Sequence, residues 1–290
     1  MIIPMFLSIL KNIFFHSLYL TNYSVVDSSA VFHKNEAVIA SQKLQRDVHY
    51  SIIQPRDFVQ DKPTNLVFFL DGQDYEALHL EQTLAAFYLE NQTVNWVFVP
   101  VSTNENRLQE YGVIGKPDYK NRGALATVYA QFWELELLPT VCKKIGVTEI
   151  AEISICGFSL SGLAAFDLAW SLPMIAKVGV FSGSFWWRSK AYEDDYDDYN
   201  GRIMHVKIRE TKAPKERLAV WLQCGTEDEK DDRNNNGIID SIEDTLDLIQ
   251  ELENKNVRNV YYREVIGGQH NPATWGQVMP EFLHWLKSTN

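Results

Sequence analysis

The sequence predicts an α/β fold, a mostly parallel central sheet held between helices, and three observations predict it. Short, dense runs of β-branched and aromatic residues recur along the chain. These runs are continuously apolar rather than alternating, as in strands covered on both faces. Between them lie segments with apolar residues three and four apart, so strand and helix patterns alternate.

Taken in order, "SQKLQRDVHYSIIQP" (41–55) alternates and reads as an edge hairpin strand. "NLVFFLDG" (65–72) and "VNWVFVPV" (94–101) follow as buried strands, and a helix spans about 122–145. "AEISICG" (151–157) is a central strand that leads into a helix at 162–172. "KVGVFSG" (177–183), "LAVWLQCG" (218–225) and "NVYYREVIGG" (259–268) complete the strands, with helices at 241–254 and 275–288. No internal repeat or long linker interrupts the series, so one domain is expected.

The 290 residues are 46% hydrophobic, enough to bury a large core. Against 27 Lys and Arg stand 38 Asp and Glu, a net charge of -11, which disfavours nucleic acid or an anionic membrane as partner. Three cysteines do not make a disulfide scaffold. Cys156 and Cys224 each close an apolar run and are expected as buried free thiols. The apolar start is broken by Lys11, Asn12 and His16, so no clear membrane span is expected. It lacks a basic n-region and a clean cleavage site. We expect a cytoplasmic protein with an N-terminal extension over 1–35, export or membrane association being the alternative.

The stretch "ISICGFSLSGLAAF" (154–167) places Ser159 between a strand and a helix. A nucleophile elbow has the pattern G-x-S-x-G, and here Ser161 takes the place of the last glycine. Gly157, Ser161 and Gly162 are small enough for the turn, and the Leu160 N–H opens the new helix, suited to an oxyanion. The alternative is Ser159 as an ordinary helix N-cap. A nucleophilic serine needs a base and an orienting carboxylate. Of seven histidines only His270, in "VIGGQHNPATW", follows an apolar run and a glycine pair. "WLQCGTEDEKDD" ends another strand and offers Glu227, Asp228, Glu229, Asp231 and Asp232. Ser, acid, His is the α/β-hydrolase order.

From about Leu44 onward the chain resembles the esterase D and enterochelin-esterase-like branch of the α/β-hydrolases. "LQRDVHYSIIQP", "FFLDGQ", "ENRLQEYG", "FWELELLP", "GFSLSGLAA", "FSGSFWW", "CGTEDE" and "GGQHNPATW" carry the resemblance, in that order. It implies a three-layer α/β-hydrolase sandwich over 36–290. It also implies Ser159 as nucleophile, His270 as base and Asp228 as acid, with Glu227 the nearest rival. Gln73, after "LDG", would give the second oxyanion N–H beside Leu160. Arg107 and Glu110 are expected to pair, with substrate contact as the alternative for Arg107. Phe185, Trp186 and Trp187 are expected either to pack in the core or to form a wall for a bulky acyl group.

"DRNNNGIIDSIE" (232–243) fits the calcium-loop pattern at every specified position. Asp232, Asn234, Asn236 and Glu243 would supply side-chain oxygens, Ile238 a carbonyl, and Asp240 a contact through water. A structural Ca2+ clamp is therefore expected, with an acidic turn as the alternative; no cofactor is expected for catalysis. The function expected is a serine carboxylic-ester hydrolase acting on a small ester or thioester. Acyl transfer on the same scaffold, or a non-catalytic binding protein, are the alternatives.

Overall fold

The computed structural model describes residues 26–92, 95–212, 215 and 217–288. The apolar segment over residues 1–25, including the expected start of the N-terminal extension, lies outside the described residues. Eight strands form one sheet in the order β1-β2-β4-β3-β5-β6-β7-β8. β2 (Arg46–Pro55) is the expected hairpin strand, and its partner β1 (Phe32–Ser41), which begins inside the expected N-terminal extension, forms the edge; both β1 to β2 and β2 to β4 are antiparallel pairs. β3 (Thr64–Leu70), β4 (Asn95–Val101), β5 (Ile150–Phe158), β6 (Lys177–Phe181), β7 (Ala219–Glu227) and β8 (Val260–Gln269) run parallel to one another. This is the α/β-hydrolase arrangement of a mostly parallel sheet between helical layers.

Strand periodicity divides the core. Leu66, Phe68 and Leu70 of β3 join one buried cluster, while Val67 and Phe69 join a second on the opposite face. Val220 and Leu222 of β7 divide from Ala219 and Trp221 in the same way. Successive side chains point to opposite faces of a strand, so two covered faces demand an unbroken apolar run. α1 (Leu80–Glu90) packs against the second face with α2 (Pro272–Ser288). The sequence shows only a polar helix start at His79; the structure buries Leu80, Leu84, Ala85 and Phe87. α3 (Leu160–Ser171) lies on the first face, with its first eleven residues buried. Cys156 and Cys224 are buried free thiols, as expected. Among the described residues no helix is long and apolar enough to cross a membrane.

Parallel strands point the same way, so the loops at their C-terminal ends gather at one edge. Asp71, Ser159, Ser182, Asp228 and His270 each stand one residue beyond the end of a strand: β3, β5, β6, β7 and β8 respectively.

Candidate active site

Ser159 sits on the turn from β5 to α3 with φ 55° and ψ -121°, a backbone that side chains other than glycine rarely adopt. Two glycines permit the turn. A Cβ on Gly157 would lie 2.3 Å from the Ser161 carbonyl oxygen, and one on Gly162 would lie 2.9 Å from Val180 Cγ1. The Ser159 N–H donates to the Phe181 carbonyl at 2.9 Å, and its carbonyl accepts from the Ser184 N–H at 3.1 Å. The strained residue is thereby tied to β6 and its exit loop. The Ser159 side chain makes no cap hydrogen bond, so it is not an ordinary N-cap.

Ser161 departs from the elbow pattern without crowding Ser159. Its hydroxyl donates to the Phe158 carbonyl and lies in reach of the Phe158 N–H, both at 2.8 Å, and the residue is fully buried. Its hydrogen-bonding capacity is spent on the backbone of the turn. Neither the Leu160 nor the Gln73 N–H is taken by a backbone carbonyl among the described residues. Gln73 lies in a short 3-10 turn, Gly72–Asp74, pressed onto the end of β4. There a Cβ on Gly72 would come within 2.6 Å of Val101 N.

β7 and β8 bring the candidate acid and base to neighbouring positions. Glu227 and Gln269 are paired in register, and Asp228 and His270 follow them. Close approach of Gly225 and Gly268 makes this possible, since a Cβ on Gly225 would meet Gly268 O at 2.2 Å and Asp228 Oδ1 at 2.8 Å. Asp228 is buried and Glu227 exposed, which separates the two candidate acids. Burial pushes the Asp228 carboxyl upward in pKa; the Gly225 N–H, the Ser182 hydroxyl and the His270 ring act in the other direction. Neither Asp228 oxygen has a hydrogen bond of ordinary geometry.

His270 stands at the rim with its ring edge-on to Trp275, centroids 5.3 Å apart. Crowding by the surrounding protein lowers its pKa, Asp228 opposes that shift, and Arg107 adds to it. The imidazole is thus biased toward its neutral form. Among the described residues the Ser159 hydroxyl bonds to neither His270 nor any other group, and no bond joins His270 to Asp228. Trp275 links these parts: its indole N–H donates to Ser182 Oγ at 2.9 Å, and its ring lies 5.3 Å from that of Phe158.

A small cleft opens at this edge, lined among others by Asp71, Asp74, Arg107, Phe158, Ser159 and Trp275. Arg107 is here, but its partner is not the expected Glu110. Its Nε donates to Asp71 at 2.9 and 3.1 Å and its Nη2 at 2.6 Å. Glu110, 1% exposed, instead takes Arg46 of β2 at 2.7 and 2.5 Å. Asp71, buried at the strand end, needs a counter-charge, and Arg107 supplies it. Phe185 and Trp187 are fully buried in the core and form no wall of the cleft. Trp186 is only half-buried, but it packs beside Trp187 and under Arg122 and does not line the cleft. Sequence reasoning missed the contributions of Asp71, Asp74, Ser182 and Trp275; the acidic pair flanking "GQ" after β3 is the signal that could have pointed to the first two.

The expected calcium clamp is corrected. Among the described residues no group of three or more His, Cys, Asp or Glu is arranged to hold a metal ion. Asp232 spends its oxygens on the N–H groups of Asn236 and Gly237, at 3.1 and 2.9 Å. Asn234 and Asn236 turn their amide N–H groups, not their oxygens, toward Glu243, at 2.7–2.9 Å. Ile238 N–H donates to Asn236 Oδ1, and Asp240 accepts from the Arg233 N–H. Arg233, which the metal pattern ignores, is the cation of this region. Its guanidinium meets Asp198 at 2.8 Å, Asp244 at 2.5 Å and Asp240 at 3.2 Å. Asp244 also takes Arg202 at 2.7 Å.

A family model described as "Putative esterase" matches residues 41–286. Enterochelin esterase from Shigella flexneri superposes with a TM-score of 0.68 at 18% identity, over 88% of this chain and 58% of that one. A ferulic acid esterase gives a TM-score of 0.64 at 16% identity, covering 90% and 99%. The siderophore hydrolase EstB from Aspergillus nidulans gives 0.62 at 14% identity, covering 86% and 93%. At these identities the likeness is one of fold, and this chain spans less than two thirds of the enterochelin esterase. No match was found among curated proteins. The family match spans most of the chain, which therefore belongs to this esterase family.

Proposed function

For this member of the esterase family, we propose hydrolysis of a small carboxylic ester or thioester through an acyl-enzyme on Ser159. One observation carries the proposal. The candidate nucleophile, acid and base each stand one residue past a parallel strand, at the edge where the cleft opens, with Ser159 on a strained turn. The neutral bias of His270 supports its role as base. The names of the solved neighbours, esterases of enterochelin and ferulic acid and a siderophore hydrolase, favour a carboxylic ester as substrate.

In the proposed reaction, Ser159 Oγ attacks the ester carbonyl carbon while His270 takes the hydroxyl proton. The carbonyl π pair moves onto oxygen, and the Leu160 and Gln73 N–H groups hold the resulting oxyanion. Collapse of the tetrahedral intermediate breaks the bond to the alcohol, which leaves with the proton from His270. Water then adds to the acyl-enzyme, His270 taking its proton and returning it to Ser159 as the acid departs. Asp228 orients the imidazole and stabilises its transient positive charge. Arg107, held by Asp71, forms part of the wall.

Turnover of short-chain nitrophenyl esters tests this proposal. Wild type should show burst or steady-state release, and Ser159→Ala should reduce kcat by about 10^4-fold or more with an unchanged melting temperature. Equal turnover by the variant would refute it.

A further inference from the structure

The cleft carries an unbalanced charge, and it comes from one residue. Of the residues lining it, Asp71, Asp74 and Arg107 are charged. Asp71 and Arg107 cancel one another through two guanidinium nitrogens. Among the described residues no ion pair holds Asp74; its side-chain partner is the Gln73 amide, at 3.2 Å. Asp74 is exposed to the cleft; desolvation and the neighbouring Asp71 raise its pKa, and Gln73 and Arg107 oppose them. His270, which with Asp228 stands at the same edge, is biased toward its neutral form.

We infer that Asp74 sets the charge preference of the cleft, favouring esters that carry a cationic group over neutral isosteres and disfavouring anionic ones. The inference rests on the esterase reading of Ser159, whose cleft Asp74 shares. The physical basis is short-range. A cation a few ångströms from Asp74 at a partly screened surface gains enough Coulomb energy to change binding on the order of tenfold. An anion loses a similar amount, because Arg107 is already engaged. Asp74 acts on selectivity, not on bond breaking.

A matched set of esters tests it. One series bears a trimethylammonium, a tert-butyl or a carboxylate group at the same position of the alcohol; a second bears them on the acyl chain. The ratio of kcat/KM for the trimethylammonium ester over its tert-butyl isostere should be about tenfold in at least one series. Asp74→Asn should bring that ratio near one, chiefly through a higher KM for the trimethylammonium ester. Asp74→Glu should restore part of the preference. A purely structural role for Asp74 would lower all esters together and leave the ratio intact. Turnover without a cationic preference, or with one that Asp74→Asn leaves unchanged, overturns the inference and leaves the esterase reading standing. No turnover of any ester by the wild type overturns the esterase reading, and this inference with it.

Discussion

Two loops leave the C-terminal edge of the same sheet and treat their polar groups in opposite ways. At 159–161, after β5, the Ser159 hydroxyl and the Leu160 N–H have no protein partner among the described residues, and Ser161 turns inward. At 232–243, beyond β7, Asp232, Asn234, Asn236, Asp240 and Glu243 each have a side-chain oxygen engaged by the loop's own N–H groups or by Arg233. Unspent donors and acceptors at a cleft are an opening for a ligand, because binding satisfies groups that folding did not. Spent ones close that opening. Asp228 stands between the two regions: it belongs to the second loop in sequence and to the first in character, with both oxygens unpartnered.

Breaking the open region should have the largest effect. Asp228→Asn should lower kcat by about 10^4-fold, since the base loses its orienting anion. The pH profile carries a sign as well. Asp228 raises the His270 pKa, so its removal lets crowding and Arg107 push that pKa further down. The base must be neutral, so the acid limb of kcat/KM should move to lower pH in the variant. An acid limb that stays fixed or moves up would separate Asp228 from His270.

The closed region should respond in stability. Arg233→Met leaves Asp244 with one cation instead of two and Asp198 and Asp240 with less compensation. Unfolding free energy should fall by about 3 kcal/mol, read by urea denaturation. Wild-type melting should be indifferent to calcium and to chelator, because the loop's oxygens are already engaged by its own N–H groups and by Arg233. A calcium-dependent rise would reverse the contrast between the loops.

The smallest effect is expected at the departure from the elbow pattern. Ser161→Gly removes two hydrogen bonds to Phe158 and restores the usual small residue. Its cost should be about 1 kcal/mol or less, with turnover within a few-fold of wild type. A large gain in rate would mean that the Ser161 hydroxyl competes with Ser159 after all.

Much of the first region was legible in the sequence because its constraints are local. Gly157 and Gly162 lie within three residues of Ser159, and an apolar strand and a helix flank the turn. The ends of β7 and β8 were equally plain, since Gly225 and Gly268 mark the two exits toward Asp228 and His270. The second region misled for the same reason. A metal pattern counts alternate positions of one segment, so it passes over Arg233 between them and cannot register Asp198 or Asp244 from other elements. The pairing of Arg107 with Asp71 rather than Glu110 was hidden likewise, across 36 residues of chain. Short-range geometry is written in consecutive residues; charge compensation depends on which helices fold beside them.

The central claim is that Ser159 is a nucleophile activated at the open edge, and covalent labelling tests it most directly. A fluorophosphonate probe should modify the native protein stoichiometrically, and peptide mass spectrometry should place the adduct on Ser159. Heat-denatured protein, Ser159→Ala and His270→Gln should each remain unlabelled. A native, folded protein that takes up no probe, or one labelled elsewhere with Ser159 free, would contradict the account.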